Sequence, residues 1–300
     1  MNKIYFFFLI SVMSSLKICG QQLFTSSLYD LQGNLHNPAV AGSSKSLQLG
    51  ASYRGMWTGI SGSPTTALVF GSTYFDKSNI GFGGHLYSDV SGPTSRKGIQ
   101  TSYSYHVPLN SRSTFSVGIE GRFQQFSIDR ALLQEALGND PILAGSPNQF
   151  KGDAGFGVAI SNEKYQVGAS VSQLVQSRLN FYSGSLSRSA NARLYRHYYF
   201  HGNYNWDVEK EVRVIPNLLL IYLPNAPIEI QAGARIEIKN TFWWGLSVRA
   251  RQSWMLSAGM NIQKRLTVGY SFDIYSTPLS VFDKGPSAHE IILRFTRANN

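Results

Sequence analysis

The chain has 300 residues, of which 15% are charged and 13% aromatic, with a formal net charge of +10. Charge at that level falls well short of the ~25% usual in soluble domains, and the basic residues are scattered, which argues against a nucleic-acid-binding protein. A mean hydropathy of -0.14, with no second apolar run as long as the one near the N-terminus, excludes a bundle of membrane-spanning helices.

Residues 1–20, MNKIYFFFLISVMSSLKICG, start with Lys3, carry an apolar run from Ile4 to about Met13 and end on the small residue Gly20. This is the pattern of a secretory signal peptide, and the run is too short to cross a bilayer as a helix. Lys17 and Ile18 stand where small residues would precede a lipidated cysteine, so Cys19 does not read as a lipoprotein site. Cleavage near Gln21 removes the chain's one cysteine, and with it disulfides, a thiol nucleophile and cysteine metal ligands. Losing Lys3 and Lys17 from 27 basic residues leaves 25 against 17 acidic ones, a net charge of +8 suited to anionic lipid head groups or an acidic partner. Residues 21–45 form an N-terminal segment too long for a lead-in, expected to plug a lumen or to dock a periplasmic partner.

Residues 46–300 read as one all-β domain. Strand-like stretches lie near 47–54, 66–75, 80–88, 99–107, 114–123, 154–160, 165–171, 194–206, 212–222, 228–238, 242–251, 254–262, 266–275 and 288–296, about fourteen in all. The alternation is clearest from Ile228 onward. There Ile228, Ile230, Ala232, Ala234, Ile236 and Ile238 share one face while Glu229, Gln231, Gly233, Arg235 and Glu237 share the other. Phe242, Trp244, Leu246, Val248 and Ala250 repeat the apolar face, and Trp243, Gly245, Ser247, Arg249 and Arg251 the second. Two architectures fit this pattern: a soluble β-sandwich with a wet outer face, or a closed barrel with lipid outside and a polar lumen.

Connection lengths separate them. Short polar turns follow the even-numbered stretches, at Asp76, Pro108, Ser161, Asp207, Lys239 and Gln263. Long connections follow several odd ones, at 124–153, 172–193 and 276–287, although those at Pro224 and Gln252 are short. Short turns at one rim and long loops at the other belong to outer-membrane barrels, whose termini lie on the periplasmic side. The expectation is a single transmembrane antiparallel β-barrel of about fourteen strands in the outer membrane of a Gram-negative bacterium. Within the first long connection, SIDRALLQEALGNDP reads as a short helix folded over the barrel mouth. Ser127 or Asp129 would cap it, Leu132, Leu133 and Leu137 would form its apolar stripe, and Gly138 would stop it.

Candidate chemistry is sparse. HEIIL at His289 lacks the second histidine of a zinc-protease helix, since Leu293 occupies that place. Glu229, Arg235, Glu237, Arg249, Arg251, Asp273, Glu290 and Arg294 fall on the polar face with mixed signs on neighbouring strands. They read as an ion-pair network bracing the lumen in preference to paired catalytic carboxylates. GFGG at Gly81 and GFG at Gly155 sit in strands with no helix following, so they lack the context of a dinucleotide loop. Strand glycines let a barrel bend or let an inner plug come close. His197 and His201 share a strand face about 13 Å apart, too far to bind one metal. No Ser/His/acid set stands out, so neither enzyme activity nor a cofactor is expected.

Three N-terminal motifs carry a resemblance: NPAVAG at 37–42, YRGMWTGISGSPTT at 53–66 and NIGFGGHLYSDVSGP at 79–93, joined by GYSFDI at Gly269 and HEIILRF at His289. Over essentially the whole mature chain the sequence resembles the PorP/SprF family of Bacteroidota outer-membrane proteins. The resemblance implies a barrel of the type IX secretion and gliding-motility machinery. Such a barrel would work with periplasmic components of that system, or help secrete and hold adhesins and other cargo at the cell surface. Asn37, Pro38, Gly42, Arg54, Trp57, Gly59, Gly62 and Pro64 are the motif residues singled out as partner-binding or structural. Pro38 and Gly42 are expected to shape a turn before the first strand, and Gly59, Gly62 and Pro64 the loop after it. Trp57 is expected to anchor at the membrane interface or on a plug, or to touch cargo. The competing function is a transport barrel for small or lipophilic solutes; an outer-membrane hydrolase lacks a nucleophile.

Overall fold

The computed structural model describes residues 25–57, 59–137, 148–179, 192–276 and 288–298. The signal peptide and the helix stop at Gly138 lie outside these residues. The described residues form seventeen strands: β1 Ser46–Met56, β2 Thr65–Phe75, β3 Ile80–Ser91, β4 Thr94–Pro108, β5 Thr114–Ile128, β6 Asn148–Ser161, β7 Tyr165–Ser172, β8 Arg178–Leu179, β9 Ala192–Arg193, β10 His197–Tyr204, β11 Trp206–Glu209, β12 Val212–Tyr222, β13 Glu229–Ile238, β14 Phe242–Arg249, β15 Ser253–Ile262, β16 Leu266–Tyr275 and β17 Ala288–Ala298. All but β8, β9 and β11 join a closed antiparallel barrel of fourteen strands. Neighbours in sequence pair throughout; β10 pairs β12 directly, and β17 closes the ring on β1 from Ser46↔Ala298 to Met56↔Ala288.

The fourteen stretches read from the sequence are the fourteen barrel strands, and the differences lie at their ends. β3 and β4 form a hairpin across Gly92 and Pro93, where the sequence reading ended one strand at Ser88 and began the next at Ile99. β5 and β6 extend to Ile128 and from Asn148, which shortens the connection read as 124–153. The cause is common to both. Arg96, Gln124 and Asp153 are buried on the inner face, so polar residues that look like loop in a sequence continue the strand here. The stretch 194–206 breaks at Asn205, which donates to the carbonyls of Glu163 and Lys164, and β11 continues beyond the β6–β7 turn with β12 alone.

Every connection at one rim is a short turn, although the opposite rim also carries the tight β3–β4 hairpin and the short β14–β15 turn. Lys239 and Asn240, and likewise Gln263 and Lys264, take positive φ at consecutive positions, the conformation of a tight hairpin turn matched to strand twist. β1 begins and β17 ends at this rim, which the barrel rule places in the periplasm. At the other rim, α1 (Arg130–Leu137) is capped by Asp129, whose carboxylate accepts from the Ala131 and Leu132 N–H groups at 3.0 and 3.3 Å. Ser127 instead pairs with Asn148 in the β5–β6 ladder. Leu132 is exposed and Leu133 half-buried.

The alternation has a direction. Ile230, Trp244, Leu246, Ile291, Leu293 and Phe295 project outward, while Glu229, Gln231, Trp243, Arg249, Asp273 and Glu290 are buried inward. The interior is nevertheless more than polar. Residues 25–45 lie inside the barrel as an irregular segment with three 3-10 turns, Tyr29–Leu31, Gly33–Leu35 and Pro38–Val40. Leu28, Leu31 and Leu35 of this segment pack with Leu68, Phe70, Tyr87, Trp243 and Ile292 of the wall, and Tyr29 packs with Tyr199, Leu219 and Ile221. A lumen read as polar therefore holds an apolar core, in which each fully buried leucine is worth roughly 1.5–3 kcal/mol over exposure.

Candidate functional site

The interior segment makes specific contacts along its whole length, and it runs from the loop half of the lumen down to the short-turn rim. Near its start, the Ser27 N–H donates to Glu290 at 2.7 Å, the Ser27 hydroxyl to Asp273 at 2.8 Å, and the Ser26 hydroxyl to Glu290. Arg54, at the loop end of β1, binds the same group: it donates to Asp273 at 2.6 Å, to the Ser27 hydroxyl at 2.7 Å and to Glu290 at 3.2 Å. Arg249 extends the cluster, 3.3 Å from Glu229 and 3.9 Å from Asp273. Two guanidinium groups and three carboxylates are thus held together out of water, and each is costly to leave without its partner.

A second cluster lies lower. Asp30 pairs with Arg235, which stands 3.3 Å from Glu237 and over the Trp243 ring. Arg294 donates to the Leu31 carbonyl at 3.1 Å. Of the eight charges that the alternation assigned to the lumen, Glu229, Arg249, Asp273 and Glu290 meet in the first cluster and Arg235 and Glu237 in the second, while Arg294 holds backbone. Arg251 is a correction. β14 ends at Arg249, and Arg251 sits exposed in the following turn with φ +64°, because the chain leaves extended geometry before the alternation reaches it. Ser26, Ser27, Asp30 and Gln32, whose carboxamide donates to Glu290 at 2.9 Å, belong to a segment without any period and so leave no signal in the sequence.

The NPAVAG motif seats the lower half of the segment. The Asn37 carboxamide accepts from the Ala39 N–H at 2.9 Å, capping the turn that Pro38 opens, and donates to the Val158 carbonyl at 3.0 Å. The His36 carbonyl accepts from the Ser170 hydroxyl, and the Ala41 carbonyl accepts from Ser104 Oγ at 2.7 Å. His106 Nε2 is 2.9 Å from the same carbonyl and its Nδ1 is 2.7 Å from Ser116 Oγ, a set satisfied when Nε2 carries the proton. Inward-facing glycines make room for all of this. A Cβ on Gly118 would meet the Pro38–Ala39 backbone, one on Gly157 the Asn37 side chain, and one on Gly81 the Ala41 carbonyl. Asn37, Pro38 and Gly42 are buried against the wall, and Gly42 has φ +73°.

The loop motif lies at the opposite rim. Trp57, with φ +50°, sets its ring edge-on to Tyr275 at 6.1 Å. Gly59 and Gly62 are exposed, Pro64 accepts from the Met56 N–H at 2.9 Å, and Gly62 accepts from the Gly92 N–H at 2.8 Å. Arg54 and Trp57 thus border the first ion cluster and Tyr275, while the glycines shape the loop above.

The Ser104–His106–Ser116 set is covered by Ala41. His201 bonds Asn37, and His197 Nδ1 is 2.9 Å from the Tyr195 carbonyl. Among the described residues there is no cluster of metal-ligating side chains. Burial, and next to it the neighbouring His201, pushes the His36 imidazole down to about 3, so this interior histidine is neutral. Beneath the segment, a polar bowl of about 710 Å³ is lined by Asp30, Lys45, Arg112, Glu163, Gln166 and Arg294, reaching from the short turns to the segment's underside.

The sequence profile described as type IX secretion system membrane protein PorP/SprF matches residues 18–295. The chain belongs to the PorP/SprF family. Three solved structures of similar shape are distant in sequence. A Pseudomonas aeruginosa FadL homologue is 12% identical with a TM-score of 0.50, covering 87% of this chain and 92% of its own. The Acinetobacter baumannii outer membrane protein Omp33 is 7% identical with a TM-score of 0.48, covering 84% and 97%. A deletion mutant of the monoaromatic hydrocarbon channel TodX is 10% identical with a TM-score of 0.49, covering 92% and 95%. No curated protein matches the sequence. As a PorP/SprF protein the chain is an outer-membrane barrel of a type IX secretion family, and the FadL homologue shares its fold alone.

Proposed function

We propose that this PorP/SprF barrel serves type IX secretion as a closed scaffold, binding periplasmic components of the system at its short-turn rim and secreted cargo or an adhesin at its loop rim. The observation that carries this reading is the seating of residues 25–45, which bond strands on several sides of the lumen and bury Leu28, Leu31 and Leu35 against the wall. A barrel filled in this way supports secretion or surface attachment through protein contacts, with the family supplying the system in which it acts.

The bowl of about 710 Å³ below the segment favours the second reading, a channel for small or lipophilic solutes. Ion current through the purified protein in a planar bilayer separates the two. The scaffold predicts no steady current; a stable open-pore conductance would count for the channel. Crosslinked pull-down from cells addresses partners, and recovery of neither secretion components nor cargo would sink the scaffold reading.

A further inference from the structure

The connection between β7 and β10 concentrates positive charge that the scaffold does not use. Between Glu163 and Asp207 the sequence has no carboxylate side chain, yet it holds Lys164, Arg178, Arg188, Arg193 and Arg196. β8 and β9 set Arg178 directly opposite Arg193. Cross-strand partners share a face, and like charges so placed repel. Leu179 and Leu194, next to them in sequence, are buried while both arginines are exposed, so the guanidinium groups project away from the barrel interior.

Among the described residues neither Arg178 nor Arg193 forms an ion pair. Arg193 lies over the Tyr195 ring at 5.2 Å, and Arg196 donates to the Leu174 carbonyl at 3.4 Å. This connection folds against β6 through the Ser177–Gly152 bond of 3.0 Å. The carboxylate that β6 supplies, Asp153, is buried and accepts from the Ala154 and Val175 N–H groups.

The patch sits at the loop rim, where the outer leaflet ends, and the same section of wall exposes Phe150 at 63% and Val175 at 62%. Two arginines opposite one another in a two-residue ladder suit a phosphate, which each guanidinium can bind through paired hydrogen bonds, and the apolar side chains exposed on β6 and on this connection suit acyl chains. We propose that Arg178 and Arg193 hold a phosphate of an outer-leaflet glycolipid, whose charge removes their mutual repulsion. Phe150 and Val175 favour a lipid over free phosphate or an acidic protein, for which they would have no use.

The test uses the full mature chain in detergent micelles titrated with diphosphoryl lipid A and read by native mass spectrometry. Charge-assisted bonds of this kind predict a loss of about tenfold in affinity for Arg178→Gln and more for the Arg178→Gln/Arg193→Gln double variant. Lys264→Gln at the opposite rim should bind as the parent does. Arg178→Lys, which keeps the charge and loses the fork, should fall between parent and Arg178→Gln, and heat-modifiable gel migration reports that each variant is folded. Equal binding of dephosphorylated lipid A, or unchanged binding by the double variant, would overturn the proposal. So would displacement by inorganic phosphate or polyglutamate at matched concentration, which would reassign the patch to a free anion or an acidic protein.

Discussion

The carboxamide nitrogen of Asn37 lies 3.0 Å from the imidazole Nε2 of His201, 164 positions further along the chain. With its bonds to Ala39 and Val158, this one side chain holds an irregular segment to β6 and β10 at once.

Asn37→Ala removes the turn cap and the donor to both strands. The loss should weaken seating of the segment by about 1–3 kcal/mol. Amide hydrogen exchange is expected to quicken across residues 25–45 while heat-modifiable migration of the barrel stays as it was. Unchanged exchange would mean that the segment is held elsewhere.

Gly118→Ala tests the close approach of segment and wall. The added Cβ would run into backbone atoms of Pro38 and Ala39, which cannot swing aside as a flexible side chain could, so about 1–3 kcal/mol of destabilisation is expected. Gly121→Ala on the same strand meets only Thr101 Oγ1 at 3.6 Å, an ordinary contact, and should be near neutral. The difference between their urea midpoints in micelles is the measurement.

Arg54→Leu would leave Asp273 and Glu290 buried without the guanidinium that bridges them. Breaking a buried pair from one side costs about 3–5 kcal/mol. Adding Asp273→Asn and Glu290→Gln should restore part of that loss, because the neutral amides no longer need a cation. If the triple variant is no more stable than Arg54→Leu in the same unfolding assay, charge is not what Arg54 contributes.

His36 predicts a pH dependence. Burial, with His201, His85, Arg122 and His197 facing it, holds its imidazole at about 3 in the folded chain against an ordinary value of 6.5. Between those values the released segment binds a proton that the seated segment does not, so seating is strongest above pH 6.5 and weakens as pH falls toward 3. Hydrogen exchange of residues 25–45 should therefore accelerate from pH 7.5 to pH 5 after correction for intrinsic rates. His36→Gln should flatten that difference; an unaltered slope would assign it to other groups.

The strands were legible to different degrees. Val212–Tyr222 and Leu266–Tyr275 have the ends read from the sequence, because lipid on one face and protein on the other enforce period two along their length. At 94–98, 124–128 and 148–153 the same period persists with Arg96, Gln124 and Asp153 inside, and their polarity imitates the end of a strand. In the interior segment, Asn37, Pro38 and Gly42 were visible as a motif, but their position was not. A 3-10 turn held by caps and side-chain bonds leaves no periodic trace.

By itself the sequence determined an exported, closed β-barrel, since the alternation of the strands and the sorting of turns by length are local properties that lipid and water impose on each hairpin. Only the tertiary structure decided that the barrel is filled. That outcome rests on contacts such as Asn37 with His201 and Ser27 with Asp273, between residues far apart in the chain, and on wall glycines whose missing Cβ atoms matter only once the segment lies against them.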